Sequence, residues 1–195
     1  MKSAPAIARA RGFSLVEVMV AVVVICVGLL GIAKLQALSL SNATTSRQRS
    51  LAAIEAAGLA SAMHSNRDYW SSTAPASVTW TGGAIASTDA ALQAQADADQ
   101  TALNACVGTI GSGAVCTPVQ LAAYDLARWT ASIALLLPNP QTTIACPNIA
   151  GLNLPASCTI QITWSEKAVG ITQQEATAAG GAQFENPTYL LYVEP

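Results

Sequence analysis

The sequence predicts an α+β protein in which one long N-terminal helix precedes a small antiparallel sheet with helices on one side. Three features carry this prediction: an unbroken apolar segment near the N-terminus, an amphipathic continuation of it, and a strand pattern near the C-terminus. Helix signals and strand signals that fall in separate stretches are typical of the α+β class. The 195 residues suffice for one such domain and an anchor.

The apolar segment runs from Phe13 to Leu40, and its only formal charges are Glu17 and Lys34. About 20 apolar residues at a rise of about 1.5 Å each span the hydrocarbon core of a bilayer. Residues 13–40 are therefore predicted to form a transmembrane helix.

The residues before this segment predict its orientation. Lys2, Arg9 and Arg11 occur there without any acidic residue. Such a basic excess places the N-terminus in the cytoplasm and the bulk of the chain outside. A secretory signal would have a shorter apolar core and a cleavage site after it, whereas this run continues into more helix. We expect the segment to be retained.

The helix is predicted to continue to about His64 as an amphipathic segment, residues 41–66. This stretch contains no proline. Apolar residues at three-to-four spacing predict one buried stripe, formed by Leu51, Ile54, Ala57 or Gly58, and Ala62. The stripe would pack on a globular head, residues 67–195.

Two further helices are predicted in the head. Ser87-Thr88-Asp89 offers a cap and a first-turn acid for a short alanine-rich helix that reaches about Cys106. The stretch TPVQ, residues 117–120, has the form of a capping box with proline at the first helical position. The helix that it opens would end at Leu137, with an apolar face formed by Leu126, Trp129, Ile133 and Leu136.

Strand signals lie mainly in the last third of the chain. The stretch CTIQITWS, residues 158–165, alternates apolar and polar side chains, which predicts a strand with one buried face. TTIAC before it and TYLLYVEP at the end supply antiparallel partners, and a long loop from about Lys167 to Asn186 joins the last two strands. A short strand, VTWT, is possible in the turn-rich stretch between Asn66 and Gly83.

The five cysteines divide into one in the apolar segment, Cys26, and four in the exported part. Export permits disulfides, and four cysteines allow three connectivities. We favour the local pairs Cys106–Cys116 and Cys146–Cys158. A zinc site is the weaker alternative, because no C-x-x-C spacing occurs and the chain has a single histidine.

Composition and motifs exclude several classes of function. Charged residues make up 10 % of the chain and the net charge is -2, so no basic field favours nucleic acid. No nucleophile and base, phosphate-binding glycine loop or pair of acids suggests a catalytic site. We expect a protein that is not an enzyme and needs no cofactor.

The stretch RGFSLVEVMV, Arg11 to Val20, places the Glu17 carboxylate within the apolar run. A charge at bilayer depth costs about 2.5 to 3.5 kcal/mol on insertion scales, so such a residue suggests a function. With its basic leader, the stretch resembles the class III signal of type IV prepilins and pseudopilins. The shared features are a glycine, a phenylalanine, a glutamate four residues later and an apolar helix.

This resemblance implies that a prepilin peptidase cleaves after Gly12 and methylates the new amino terminus on Phe13. Residues 1–12 would be the removed leader, and the helix would stay in the bacterial inner membrane with the head in the periplasm. In the resembling proteins the new amino group pairs with the glutamate of a neighbouring subunit, so Glu17 is predicted to act in assembly. The simpler alternative is a tolerated glutamate that reaches the interface near the helix start.

Looser similarities extend further along the chain. GLLGIAKLQ, Gly28 to Gln36, resembles a segment of PilV-type minor pilins, and DLARW, LLLP and the ITW strand are also similar to that group. They imply a pilin-like fold and a subunit that primes type IV pilus assembly at or near the tip, supporting twitching motility and adhesion. Its partners would be other minor pilins, the major pilin and the inner-membrane assembly machinery. The alternatives are a type II secretion pseudopilin and an uncleaved membrane anchor of a periplasmic binding module.

Overall fold

The computed structural model describes residues 12, 14–71, 77–97, 116–147, 157–167 and 184–195. They form a pilin-like α+β arrangement, a long N-terminal apolar helix and a small antiparallel sheet, as predicted. The helices are α1 (Leu15–Ser65), α2 (Arg67–Trp70), α3 (Ala90–Ala96) and α4 (Pro118–Leu136). The strands are β1 (Ser77–Thr81), β2 (Ala84–Ser87), β3 (Gln141–Ala145), β4 (Cys158–Thr163), β5 (Glu166–Lys167), β6 (Phe184–Glu185) and β7 (Thr188–Val193).

The chain divides into two compact units, Met1–Ala43 and Thr44–Pro195, and the boundary falls within α1. In the first unit, α1 is long and apolar enough to cross a membrane. None of its most apolar stretch is buried in the chain's own fold. This exposure fits a segment whose apolar surface is covered by lipid or by other helices.

The second unit contains a five-stranded sheet in the order β2-β1-β3-β4-β7, with every neighbouring pair antiparallel. The central strand β4 follows the predicted alternation: Cys158, Ile160 and Ile162 are buried, and the residues between them are partly exposed. β5 and β6 form a separate two-stranded ladder.

The core lies between the apolar face of this sheet and the helices. α4 contributes the predicted residues Leu126, Trp129 and Ile133, and Leu136 packs against the core at its margin. The capping box that opens α4 is confirmed, because Thr117 and Gln120 each accept a hydrogen bond from the other's backbone N–H.

The predicted stripe on the second half of α1 is largely wrong, although Leu51 packs against the core as expected. Ile54 is 65 % exposed, and the buried residues are Ala52, Ala56, Leu59 and Met63. Both sets satisfy helical spacing, because this segment is rich in alanine. The buried face combines two alanines, which leave room for the neighbouring elements, with Leu59 and Met63, which fill the core.

Three local details of the head also differ from the prediction. Asp89 is the N-cap of α3 and accepts a hydrogen bond from the Ala91 backbone, so it is not a first-turn acid. The helix ends at Ala96 rather than near Cys106. Strand β2 was not predicted, and it forms because Gly82 and Gly83, with φ of +63° and +95°, make a tight hairpin turn after β1.

Candidate functional site

The predicted processing site lies directly before α1. Gly12 is exposed and not helical, and Phe13 lies outside the described residues. The Ser14 carbonyl accepts the first helical hydrogen bond, from the Val18 backbone at 3.2 Å. The Gly12–Phe13 bond therefore precedes the first residue of α1, Leu15.

Glu17 lies in the first turn of α1 and is exposed. Its carboxylate is favourably placed, because the N-terminus of a helix carries partial positive charge. Ser14 and Glu17 have the residue types of a capping box, yet no hydrogen bond joins the Glu17 carboxylate to any residue that the structure describes. Glu17 is thus available to a partner outside the chain.

The sequence around these residues matches the family model described as "Prokaryotic N-terminal methylation motif" over residues 7–33. The chain carries a prepilin-type methylation motif. The motif includes Gly12, Phe13 and Glu17 and covers about three quarters of the apolar segment, without reaching the head. Searches of curated proteins and of solved structures gave no significant match.

The methylation motif supports a type IV pilin-like or pseudopilin-like subunit. Such a signal implies processing by a prepilin peptidase and assembly with pilus-type machinery. The motif and the apolar α1 together fit a protein anchored in the inner membrane.

The three head cysteines that the structure describes are disulfide-bonded. Cys146 follows β3 and bonds to Cys158, the first residue of β4, and both are buried. This is one of the two pairings favoured from the sequence. Cys116 is also disulfide-bonded, and Cys106, the partner expected for it, lies outside the described residues. Cys26 is a free, exposed cysteine of the apolar segment.

An ion pair not predicted from the sequence joins α1 to β5. The buried Glu166 carboxylate accepts hydrogen bonds from Arg49 Nε at 3.2 Å and Arg49 Nη2 at 3.0 Å. Trp164 Nε1 donates a third bond to the same carboxylate, at 3.1 Å. The hydrogen bond and charge of Glu166 raise the pKa of Arg49, so the guanidinium stays charged. No local pattern indicates a contact between residues so far apart in sequence.

A second polar contact joins α1 to α4. The Glu55 backbone carbonyl accepts a hydrogen bond from Trp129 Nε1 at 2.9 Å. Its side chain accepts another from Ser132 Oγ at 2.8 Å. These two bonds orient the outer part of the long helix on the head.

The described residues contain no group of three or more acidic, histidine or cysteine side chains able to hold a metal ion. His64 is exposed at the end of α1 and lines an open groove. The described side chains in that groove do not include a nucleophile paired with a base.

Proposed function

We propose that this protein is a minor pilin of the PilV type, a non-catalytic subunit that helps prime type IV pilus assembly and is incorporated at or near the tip. The single observation that carries the proposal is the methylation motif over residues 7–33, in which Glu17 stands four residues after Phe13. The looser similarities of GLLGIAKLQ and DLARW to PilV-type proteins favour this subtype.

The mechanism rests on charge pairing within an apolar environment. Cleavage after Gly12 creates a positively charged amine on Phe13, which methylation leaves charged. An unpaired carboxylate in lipid is penalised, and this penalty is relieved when the amine of a neighbouring subunit lies beside Glu17. The pairing fixes the axial register of one helix against the next, and the head then presents its own surface to particular partners.

The test is the N-terminal mass of the mature protein, measured in inner-membrane and sheared-filament fractions with and without the prepilin peptidase. We expect an N-methylated Phe13 terminus that depends on the peptidase, and recovery of the protein with pilus subunits. An intact leader in peptidase-competent cells would instead favour an uncleaved membrane anchor.

Two machines use such subunits, so the same measurement is repeated in cells that lack either the pilus or the secretion assembly platform. Loss of filament recovery without the pilus platform supports the minor pilin. Dependence on the secretion platform would identify a type II secretion pseudopilin.

A further inference from the structure

The two edges of the five-stranded sheet differ in how their backbone groups are satisfied. At the β2 edge, Gln93 Oε1 accepts a hydrogen bond from the Ser87 backbone at 2.7 Å. Gln93 Nε2 donates to the Ile85 carbonyl at 3.2 Å. The side-chain amide thus occupies the hydrogen-bonding position of a further strand, and this edge is closed.

The β7 edge has no comparable cover among the described residues. The Trp164 backbone N–H donates to the Pro187 carbonyl at 3.3 Å. This bond shows which residue pairs of β4 and β7 are hydrogen-bonded to each other. In an antiparallel pair, hydrogen-bonded and non-hydrogen-bonded positions alternate. It follows that the backbone N–H and C=O groups of Tyr189, Leu191 and Val193 point towards β4. The backbone groups of Thr188, Leu190 and Tyr192 point away from the sheet.

The side chains of β7 do not protect this edge either. Natural edge strands are usually blocked by charge, proline or a bulge, and TYLLYV contains no charge or proline and pairs with β4 in continuous register. Leu190 is 50 % exposed and Tyr192 is 78 % exposed. An open, apolar edge of this kind is suited to binding another strand.

An open groove of about 790 Å³ runs beside this edge, within the second unit. Its helical wall is formed by four residues of α1: Ala57, Ala60, Ser61 and His64. Its other wall includes Leu191 and Tyr192 of β7. Three of the four side chains on the helical wall are small, so an added strand about 4.8 Å from β7 would meet one large side chain, His64, on the described part of this wall.

We propose that β7 binds an extended segment of a different subunit, which adds to the sheet as a sixth strand. Main-chain hydrogen bonds to Leu190 and Tyr192 would hold it, as in other cases of strand addition. That the partner is a neighbouring pilin-like subunit rests on the proposed function.

The charge of the groove indicates what the added segment contains. Glu194 is the acidic residue of its lining, and it forms no ion pair within the described part of the chain. A mainly apolar strand with one basic side chain near Glu194 is complementary to this surface. The stretch from Phe184 to Pro195 contains no basic residue, so β7 of a second copy lacks that complement.

The experiment uses the full chain in its own cells, with the photoreactive amino acid p-benzoylphenylalanine replacing Tyr192. The matched control carries it at Ala86, an exposed position on the closed β2 edge. We expect a cross-link from position 192 alone, which peptide mapping assigns to an apolar segment with a basic residue in another subunit. A cross-link to a second copy, or no cross-link in cells that incorporate the protein, would overturn the proposal.

A second pair of variants separates strand addition from side-chain contact. Leu190→Pro removes an outward N–H and keeps the bonds to β4, which edge strands tolerate. Leu190→Thr keeps that N–H. We expect Leu190→Pro to reduce the cross-link from position 192 at least about tenfold and Leu190→Thr to reduce it less than about twofold. Equal cross-linking in both variants would contradict main-chain pairing.

Two readouts keep these results separate from misfolding and from failure of the proposed function. Formation of the Cys146–Cys158 disulfide reports whether the β4 side of the sheet has folded. The Phe13 terminus and filament recovery report the proposed function. Normal processing and recovery without a position-192 cross-link would refute the β7 proposal alone.

Discussion

Arg49 and Glu166 form a two-point ion pair although 117 residues separate them in the sequence. The two partners differ in exposure: the Arg49 side chain is 60 % exposed, whereas that of Glu166 is only 5 % exposed. The arginine therefore has water as an alternative partner and the carboxylate does not. The cost of breaking the pair falls on Glu166.

Replacing Arg49 by Met should lower the melting temperature of the protein, because a buried carboxylate loses two of its three hydrogen bonds. Arg49→Lys should have an intermediate effect, since an ammonium cannot reproduce the paired geometry of a guanidinium. Adding Glu166→Gln to Arg49→Met should recover part of the loss by removing the buried charge. Thermal unfolding followed by tryptophan fluorescence measures all three, and a double variant less stable than Arg49→Met would contradict this account.

Thr117→Ala should destabilise the protein by about 1 kcal/mol, the usual cost of removing a helix N-cap. The reason is that the Gln120 backbone N–H loses the Thr117 hydroxyl as its acceptor. Thr117→Ser keeps an acceptor oxygen and should remain close to the unmodified protein. Chemical unfolding in mild detergent compares the two variants, and equal loss in both would show that the hydroxyl is not what matters.

Removing the Cys146–Cys158 disulfide with paired alanine substitutions should cost about 2 to 3 kcal/mol, because the bond closes a short loop in the unfolded chain. The control is Cys26→Ala, which removes the free cysteine of the apolar segment. We expect the control to unfold at the same denaturant concentration as the unmodified protein. If the paired variant is as stable as the unmodified protein, packing of the sheet stabilises this region without the disulfide.

Asp125→Asn should stabilise the protein at neutral pH. Burial raises the pKa of the half-buried Asp125 above its ordinary value of 3.8, and the charge of Arg128 opposes this only in part. Since the folded-state pKa is the higher one, the neutral carboxyl favours folding below about pH 4, and this contribution is lost as the pH rises through the folded-state pKa.

The gain from Asp125→Asn should be below about 1 kcal/mol, because solvent still reaches the side chain. It should disappear when the melting temperature is measured well below pH 3.8, where the carboxyl is neutral in both states. Glu194→Gln, at an exposed position, is the control. A gain that persists unchanged in acid would contradict the titration argument.

Glu17→Ala should leave cleavage and methylation largely intact but reduce incorporation into sheared filaments at least about tenfold, which corresponds to ~1.4 kcal/mol. Lys34→Ala is the matched control: it removes the other charge of the apolar segment, about 26 Å further along the helix. Quantitative immunoblots of membrane and filament fractions measure the ratio. Normal incorporation of the Glu17→Ala variant would contradict an assembly role of the carboxylate.

The sequence predicted those elements whose signals are local. The alternation from Cys158 to Thr163 determines which face of β4 is buried, and TPVQ determines the first turn of α4. The buried face of α1 was mispredicted, because an alanine-rich helix offers several stripes of similar hydrophobicity and tertiary contacts choose between them. In place of Ile54 the fold buries Ala56, whose small side chain permits close packing.

Long-range relationships were not predictable in the same way. In strand β2 only Ile85 has a high strand propensity, and the strand is ordered by its hairpin and by Gln93. The Arg49–Glu166 pair and the open edge of β7 follow from strand order and register, which no local pattern encodes. At the N-terminus the opposite holds, because Gly12, Phe13 and Glu17 are recognised by spacing alone.

The closed β2 edge limits the number of strands that the five-stranded sheet can bind. Because Gln93 already occupies one margin of the five-stranded sheet, the described residues leave only the β7 margin of that sheet for strand addition, and a subunit bound there would not pass the contact on to a third molecule. A row of heads joined by their sheets would therefore stop at this protein. If β7 binds a strand as proposed, one glutamine side chain would make the head the end of such a row rather than a repeating unit in it.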